Sequence, residues 1–235
     1  MKFMSFNTQH CNHYRHGKID FSVMAEAIKA CDADVVGLNE MRDVGEAKHP
    51  DFLAQTEILA RLAGYPYFYF AKAIDLPEGR YGNGILSRIP IEKAETVLVP
   101  DPEKREGGRH YETRCLLKAY LAGGITVLVT HFGLNPEEQE NAVKTVLAQV
   151  SQEKCVLMGD FNVRPDNGVL APIRACMKDT ADCFPSPLLS FPSDAPHCKI
   201  DYIFASRDGS VLSADIPATV ASDHRPHTAS ITFEA

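Results

Sequence analysis

The chain of 235 residues contains no tryptophan, and no uninterrupted apolar run approaches the ~18 residues that a membrane-spanning helix needs. Its first residues, MKFMSFN, turn polar too early for the apolar region of a signal peptide. A cytoplasmic chain with no membrane span is therefore expected. Seven cysteines include no C-x-x-C pair and leave one unpaired whatever the pairing. That disfavours a disulfide framework and a thiolate zinc site, and most of these residues should be small buried hydrophobes. No cysteine falls in a recognisable catalytic context. Neither G-x-x-x-x-G-K-[ST] nor G-x-G-x-x-G occurs, which argues against P-loop and dinucleotide-binding enzymes. Basic residues are outnumbered, 24 Lys+Arg against 31 Asp+Glu, for a net charge of −7. A negative field works against broad attachment to nucleic acid, although a local basic cleft is compatible with it. Repeats, low-complexity tracts and clear linkers are also missing.

What is present is a globular mixture, 45% hydrophobic and 23% charged, of a length that fits one large domain. Strands are predicted over 2–6, 35–38, 67–70, 84–87, 113–121, 125–130, 155–158, 200–205 and 228–233, with Gly123-Gly124 as a hairpin turn. Helices are predicted over 21–31, where Phe21, Met24, Ile28 and Cys31 share a face, and over 52–63, stopped by Gly64. A third begins at Asn135 as N-cap with Pro136 next, and has Val143, Val146, Leu147 and Val150 as its apolar stripe. Helices and strands mix without strict alternation, so sheets with some antiparallel pairing, covered by helices, are expected.

Polar groups fall at the ends of these apolar runs. Phe6-Asn7 follows the first strand, Leu38-Asn39-Glu40 ends the second and Val129-Thr130-His131 ends a central one. Met158-Gly159-Asp160-Phe161-Asn162 ends another, and Ser222-Asp223-His224 precedes the last. Asp160 and Asn162 are two apart, so an extended backbone puts both on one face. With Asn7, Glu40 and Asp223 they form an oxygen-only ligand set, which suits Mg²⁺ or Mn²⁺ better than zinc. Asp201 lies inside an apolar strand, where an ionised carboxylate needs a partner. His224 is the preferred partner, with His131 and His227 as alternatives. Each residue alone has a plainer reading: a turn residue for Asn7, a solvated edge charge for Glu40, a structural histidine for His131. His10, His13 and His16 show three-residue spacing but no helical apolar pattern. A substrate-rim role for one of them is favoured over a metal cluster.

The order of these motifs resembles the endonuclease/exonuclease/phosphatase superfamily, the DNase I-like fold, over residues 2–233. Gly82-Asn83-Gly84-Ile85-Leu86-Ser87-Arg88 also looks like a family segment. One departure is Asn39, which stands where the family usually has Gln. The resemblance implies a four-layer α-β-β-α sandwich, with two packed mixed β-sheets flanked by helices, as a single catalytic domain over 1–235. It implies a metal-dependent phosphoesterase acting by in-line water attack. Glu40 would bind Mg²⁺ or Mn²⁺ most directly, with Asn7, Asp160, Asn162 and Asp223 as ligands or through water. His224, oriented by Asp201, would activate the water, His131 would donate to a non-bridging oxygen, and Asn162 would help place the phosphate. Whether Asp160 or His224 takes the proton is open, as is the number of metals.

Substrate contacts are expected from Arg80, Asn83, Arg109, Arg114 and Asn135, with Tyr81, Arg88, Lys104 and Arg105 in the same loops. For the charged loop 104–110 the plainer reading is a solvated surface. The expected partner is a phosphoester, either nucleic acid or a smaller or lipid phosphodiester, met by a monomer. The alternative is a non-catalytic binding module that keeps the fold.

Overall fold

The computed structural model describes residues 1–183 and 188–233. In chain order the elements are β1 (Lys2–Asn7), α1 (Phe21–Cys31), β2 (Val35–Val44), α2 (Gln55–Ala63), β3 (Tyr67–Asp75), β4 (Gly79–Ser87), β5 (Ile91–Leu98) and β6 (Cys115–Leu121). They continue with β7 (Ile125–His131), α3 (Pro136–Gln149), β8 (Cys155–Asp160), α4 (Ala171–Cys176), β9 (Met177–Asp179), β10 (Asp201–Ser206), β11 (Gly209–Asp215) and β12 (His227–Phe233). Two six-stranded sheets result, ordered β11-β12-β1-β2-β4-β3 and β5-β6-β7-β8-β10-β9. Both are mixed: β1 runs parallel to β2 and β7 parallel to β8, and the other pairs are antiparallel.

Side-chain alternation builds the layers. Phe3, Val35, Ile85, Val127, Val129, Val156, Met158, Ile203 and Ile231 form the core between the sheets. Met4, Phe6, Val36 and Leu38 face the other way and pack with Met24, Ile28 and Leu59 of α1 and α2. On the second sheet, Leu128, Leu157, Tyr202 and Phe204 face outward against Val143, Val146 and Ile173 of α3 and α4. The central strands are buried on both faces, and the architecture is the expected four-layer α-β-β-α sandwich.

The same alternation places the functional positions. Counting by two from Phe3, Val127, Val156 and Ile203 brings Asn7, His131, Asp160 and Asp201 onto the inner faces at the strand ends. Asn7 pairs with Asn39, His131 with Asp160 and Asp160 with Asp201, so all lie at one edge of the sandwich. Glu40 breaks the count, because continuing from Val36 and Leu38 would send it outward. A bulge between Leu38 and Met41 re-aims it, with Glu40 at φ 60°, and returns Met41 to the outer core. At Gly159, φ is 149° and a Cβ would lie 1.8 Å from the Thr130 carbonyl oxygen, so only glycine lets β8 approach β7 here.

Several boundaries differ from expectation. The second helix starts at Gln55, three residues after Phe52, and the second strand runs on to Val44 through the bulge. Leu147 leaves the α3 stripe and is 38% exposed. Strands β5, β9 and β11 and helix α4 were not anticipated. β5 and β11 are edge strands with mixed burial, so their identity comes from pairing and not from an apolar pattern. Cys11, Cys31, Cys115, Cys155 and Cys198 are buried as expected, whereas Cys176 and Cys183 are exposed.

His227 is fully buried, with Nδ1 3.3 Å from the Asp201 carbonyl oxygen. Burial, helped by the charge of Lys199, pushes its pKa from 6.5 down to about 4. The unfolded chain binds this proton first, so the fold loses stability as pH falls from 6.5 to about 4, by at most ~1.4 kcal/mol per pH unit. Urea unfolding of wild type and His227→Gln between pH 7.5 and 4 should give a stability difference that shrinks as pH falls. A constant difference would contradict the assignment.

Candidate active site

A histidine between two carboxylates forms the centre of the inner edge. His224 Nδ1 is 2.8 Å from Asp201 Oδ2, and its Nε2 is 3.6 Å from Asp160 Oδ2. Asp201 is wholly buried and its Oδ1 has no hydrogen-bond partner among the described residues. Burial alone would push the imidazole pKa down, but the charges of Asp201 and Asp160 overcome it and raise it to about 10. Asp160 is raised to about 7, by burial first and by the Asp201 charge, against the pull of His224. The proton of this pair therefore sits on His224.

Asp160 is held from several sides. Its backbone N–H donates to Asn39 Oδ1 (2.9 Å), its Oδ1 accepts from the Asn162 N–H (2.9 Å), and its Oδ2 accepts from Asn7 Nδ2 (3.0 Å). Asn39, the departure from the family pattern, is a bridge between the sheets. Its Nδ2 donates to the Thr130 carbonyl and to Asn83 Oδ1, both at 2.8 Å. Asn83 in turn donates to the Cys115 carbonyl at 2.9 Å.

His131 Nε2 lies 3.5 Å from the same Asp160 Oδ2. Two donors face the ring, Arg114 Nη1 at 3.2 Å from Nδ1 and Asn162 Nδ2 at 3.1 Å from Nε2, and a neutral imidazole accepts from only one of them. Burial, reinforced by the charge of Arg114, holds the His131 pKa well below its ordinary value, so the ring is neutral. Asn162, at φ 53°, abuts the ring and donates to the Phe132 carbonyl (3.0 Å).

The second cluster is acidic. Asn7 Nδ2 donates at 3.0 Å to Glu40 Oε1 as well as to Asp160, so one amide spans two carboxylates. Asp223 is raised by burial and by the charge of Glu40, against His224. A buried carboxylate beside another anion fits a hard divalent cation. The carboxylate oxygens of Glu40, Asp160 and Asp223 could hold one, while Asn7 turns its Nδ2 to Glu40 and Asp160 and its Oδ1 accepts from the Gln9 N–H. Asp160, Asp201 and His224 also gather within 4.8 Å of one another, but Asp201 and His224 are committed to each other and read as a proton-holding pair.

The expected substrate contacts divide. Arg114 reaches the site, bonded to Tyr81, His131 and Glu112. Arg109 is exposed, and its backbone N–H donates to Asn135 Oδ1 (2.9 Å). Asn83 and Asn135 are buried, with their amides hydrogen-bonded internally. Arg80 is drawn toward Asp43 and Asp75 (3.9 and 3.8 Å), and Arg88 pairs with Asp32 at the opposite end of β4. Lys104 and Arg105 are exposed, as the plainer reading had it. Phe191, whose ring lies 4.9 Å from His224, was not anticipated, since nothing in its local sequence marks it.

A model of the Endonuclease/Exonuclease/phosphatase family matches residues 4–224. The uncharacterized protein YbhP of Escherichia coli K12 is 26% identical over 231 residues, covering 88% of this chain and 87% of its own length. An endonuclease/exonuclease/phosphatase from Beutenbergia cavernae superposes with a TM-score of 0.80 at 24% identity, over 100% of this chain and 72% of that one. The mannosyl-6-phosphatase Bt3783 of Bacteroides thetaiotaomicron does so with a TM-score of 0.76 at 14% identity, over 99% and 100%. These structures share the DNase I-like fold. Members of the matched family are generally hydrolytic phosphoesterases that use a divalent metal. The chain belongs to the endonuclease/exonuclease/phosphatase family.

Proposed function

We propose that this chain is a divalent-metal-dependent phosphoesterase, cleaving a phosphodiester or phosphomonoester by in-line attack of water. The observation that carries the reading is the juxtaposition of two unlike charge arrangements at one sandwich edge. One is a histidine kept cationic by Asp201 and Asp160, and the other is an acidic oxygen cluster around Asn7. A phosphoester needs both, because charge on its oxygens must be stabilised while a nearby group accepts a proton.

Glu40, with Asn7, Asp160, Asn162 and Asp223, would hold Mg²⁺ or Mn²⁺. When bound, the ion supplies charge neutralisation at the phosphoryl group and its leaving oxygen. Asp160, whose proton affinity burial raises and whose Oδ2 faces both histidines, takes the proton from the attacking water. His224, already protonated, is a fixed positive donor toward the phosphoryl oxygens. His131 donates to a second oxygen, its ring held between Arg114 and Asn162. Asn162 positions the group between them. Between Asp160 and His224, the proposal gives the role of base to Asp160.

We take residues 1–235 to act as one catalytic domain and as a monomer. No helix among the described residues is long and apolar enough to cross a membrane. Free cysteines, including the exposed Cys176 and Cys183, support a reducing, cytoplasmic setting. The net charge of −7 favours a compact phosphoester over a duplex gripped along its backbone.

Hydrolysis of bis-p-nitrophenyl phosphate should require Mg²⁺ or Mn²⁺ and vanish with EDTA. Asp160→Asn and His224→Ala should each reduce kcat by roughly 10²–10⁴-fold with the fold retained. Full activity in either variant, or in EDTA, would refute the reading. Removing the Asp201 charge lowers the His224 pKa, so Asp201→Asn should bring the alkaline limb of the kcat/KM profile down from near 10 by more than about one pH unit. An unmoved limb would separate Asp201 from the protonation of His224. Plasmid nicking at low salt that disappears near physiological salt would place nucleic acid outside the dedicated substrates.

A further inference from the structure

Residues 9–11 make a short turn that the mechanism above leaves unused. Gln9, His10 and Cys11 all adopt left-handed backbone angles, with φ 48°, 58° and 61°. Such angles are unfavourable for side-chain-bearing residues and persist only where surrounding contacts impose them. Here Gln9 N–H donates to Asn7 Oδ1 (3.0 Å), Gln55 Nε2 donates to the His10 carbonyl (2.9 Å), and Cys11 is anchored in the core. The turn folds the chain back over β2 and sets the His10 ring on Glu40.

The contacts of that ring are specific. His10 Nδ1 is 3.0 Å from the Glu40 carbonyl oxygen, which can only accept, so Nδ1 carries a proton. Nε2 lies 3.5 Å from Glu40 Oε2, and the ring edge meets Tyr81 at 5.6 Å and 64°. In the neutral ring, Nε2 presents its lone pair beside a carboxylate oxygen, an arrangement that calls for a cation between them. A histidine whose other ring N–H is fixed by a backbone carbonyl is the usual form of a metal-bound imidazole. Both side chains are accessible, at 24% and 22% exposure. His13 and His16 do not join it, since their rings pack on each other with centroids 4.4 Å apart.

We infer that His10 is a nitrogen ligand at the Glu40 cation site and tunes that site toward a divalent transition ion over Mg²⁺. The inference rests on the metal-dependent reading and adds a residue and a metal preference to it. Oxygen-only sets suit Mg²⁺, whereas an imidazole favours the first-row transition ions. The competing reading is a plain ion pair between protonated His10 and Glu40, which gives no preference among metals.

Pulsed EPR of Mn²⁺ added to the metal-free full chain, with Mg²⁺ competition, separates the two. Bound Mn²⁺ should show ¹⁴N coupling from imidazole. His10→Gln should bind Mn²⁺ at least ~10-fold more weakly and lose that coupling, with Mg²⁺ affinity changed by less than about threefold. In His10→Ala, added imidazole should restore the coupling. Wild-type Mn²⁺ bound without ¹⁴N coupling would overturn the inference with no variant needed, and so would coupling or Mn²⁺ preference unchanged in both variants. Failure of wild type to bind Mn²⁺ at all would instead remove the metal-dependent reading, and this inference with it.

Discussion

A protonated imidazole held between two buried carboxylates is the interaction on which the rest of the site depends. His224 is almost wholly out of water, where a cation is unstable unless opposite charge surrounds it. Asp201 and Asp160 supply that charge, and each is itself tolerable in the interior only because of the histidine. Asp160 then carries a second demand, since Asn7 and Asn39 fix its orientation and its backbone while His131 faces the same oxygen. These three groups hold one mobile proton and two negative charges, and the mechanism proposed above makes Asp160 the acceptor and His224 the donor.

The sandwich is what brings these groups together. No single element contributes more than part of the site: Asn7 comes from β1, Glu40 from β2, His131 from β7, Asp160 from β8, Asp201 from β10 and His224 from the turn before β12. Apart from the buried Ser5, the inner faces of β1, β7, β8 and β10 are apolar up to the strand end at the site, so the polar groups emerge together where the shared core ends. Asn39 and Asn83 carry hydrogen bonds across the gap at that level, tying β2 and β4 of one sheet to β6, β7 and β8 of the other. The mutual approach of the sheets, and with it the spacing of the acidic cluster and the histidines, rests on those bridges.

Much of this was legible in the sequence, for a physical reason. A polar residue closing an apolar strand marks the edge of a core, and alternation tells which face it takes. That argument places Asn7, His131, Asp160 and Asp201 without any coordinates. It fails at Glu40, because a bulge adds a residue without an announcing glycine or proline. It fails also at His10, whose left-handed turn is imposed by Gln55 and the buried Cys11 and not by its own propensity. The burial of Asn83 and Asn135 was not legible, because an amide's identity does not say whether its partners are internal. Asn39 showed only as a departure from a pattern, and its role as a bridge needed the second sheet. The edge strands β5 and β11 were missed because pairing, and not apolar periodicity, makes them strands.

The charge state of His224 tests the account most directly. Imidazole ¹⁵N NMR of the metal-free chain, with the resonance assigned by comparison with His224→Ala, reads it without any assay. The account predicts that both ring nitrogens carry protons through pH 8.5, because the Asp201 and Asp160 charges lift the pKa to about 10 against burial. A neutral, single-tautomer ring at pH 7.5 would contradict it and return the role of proton acceptor to His224.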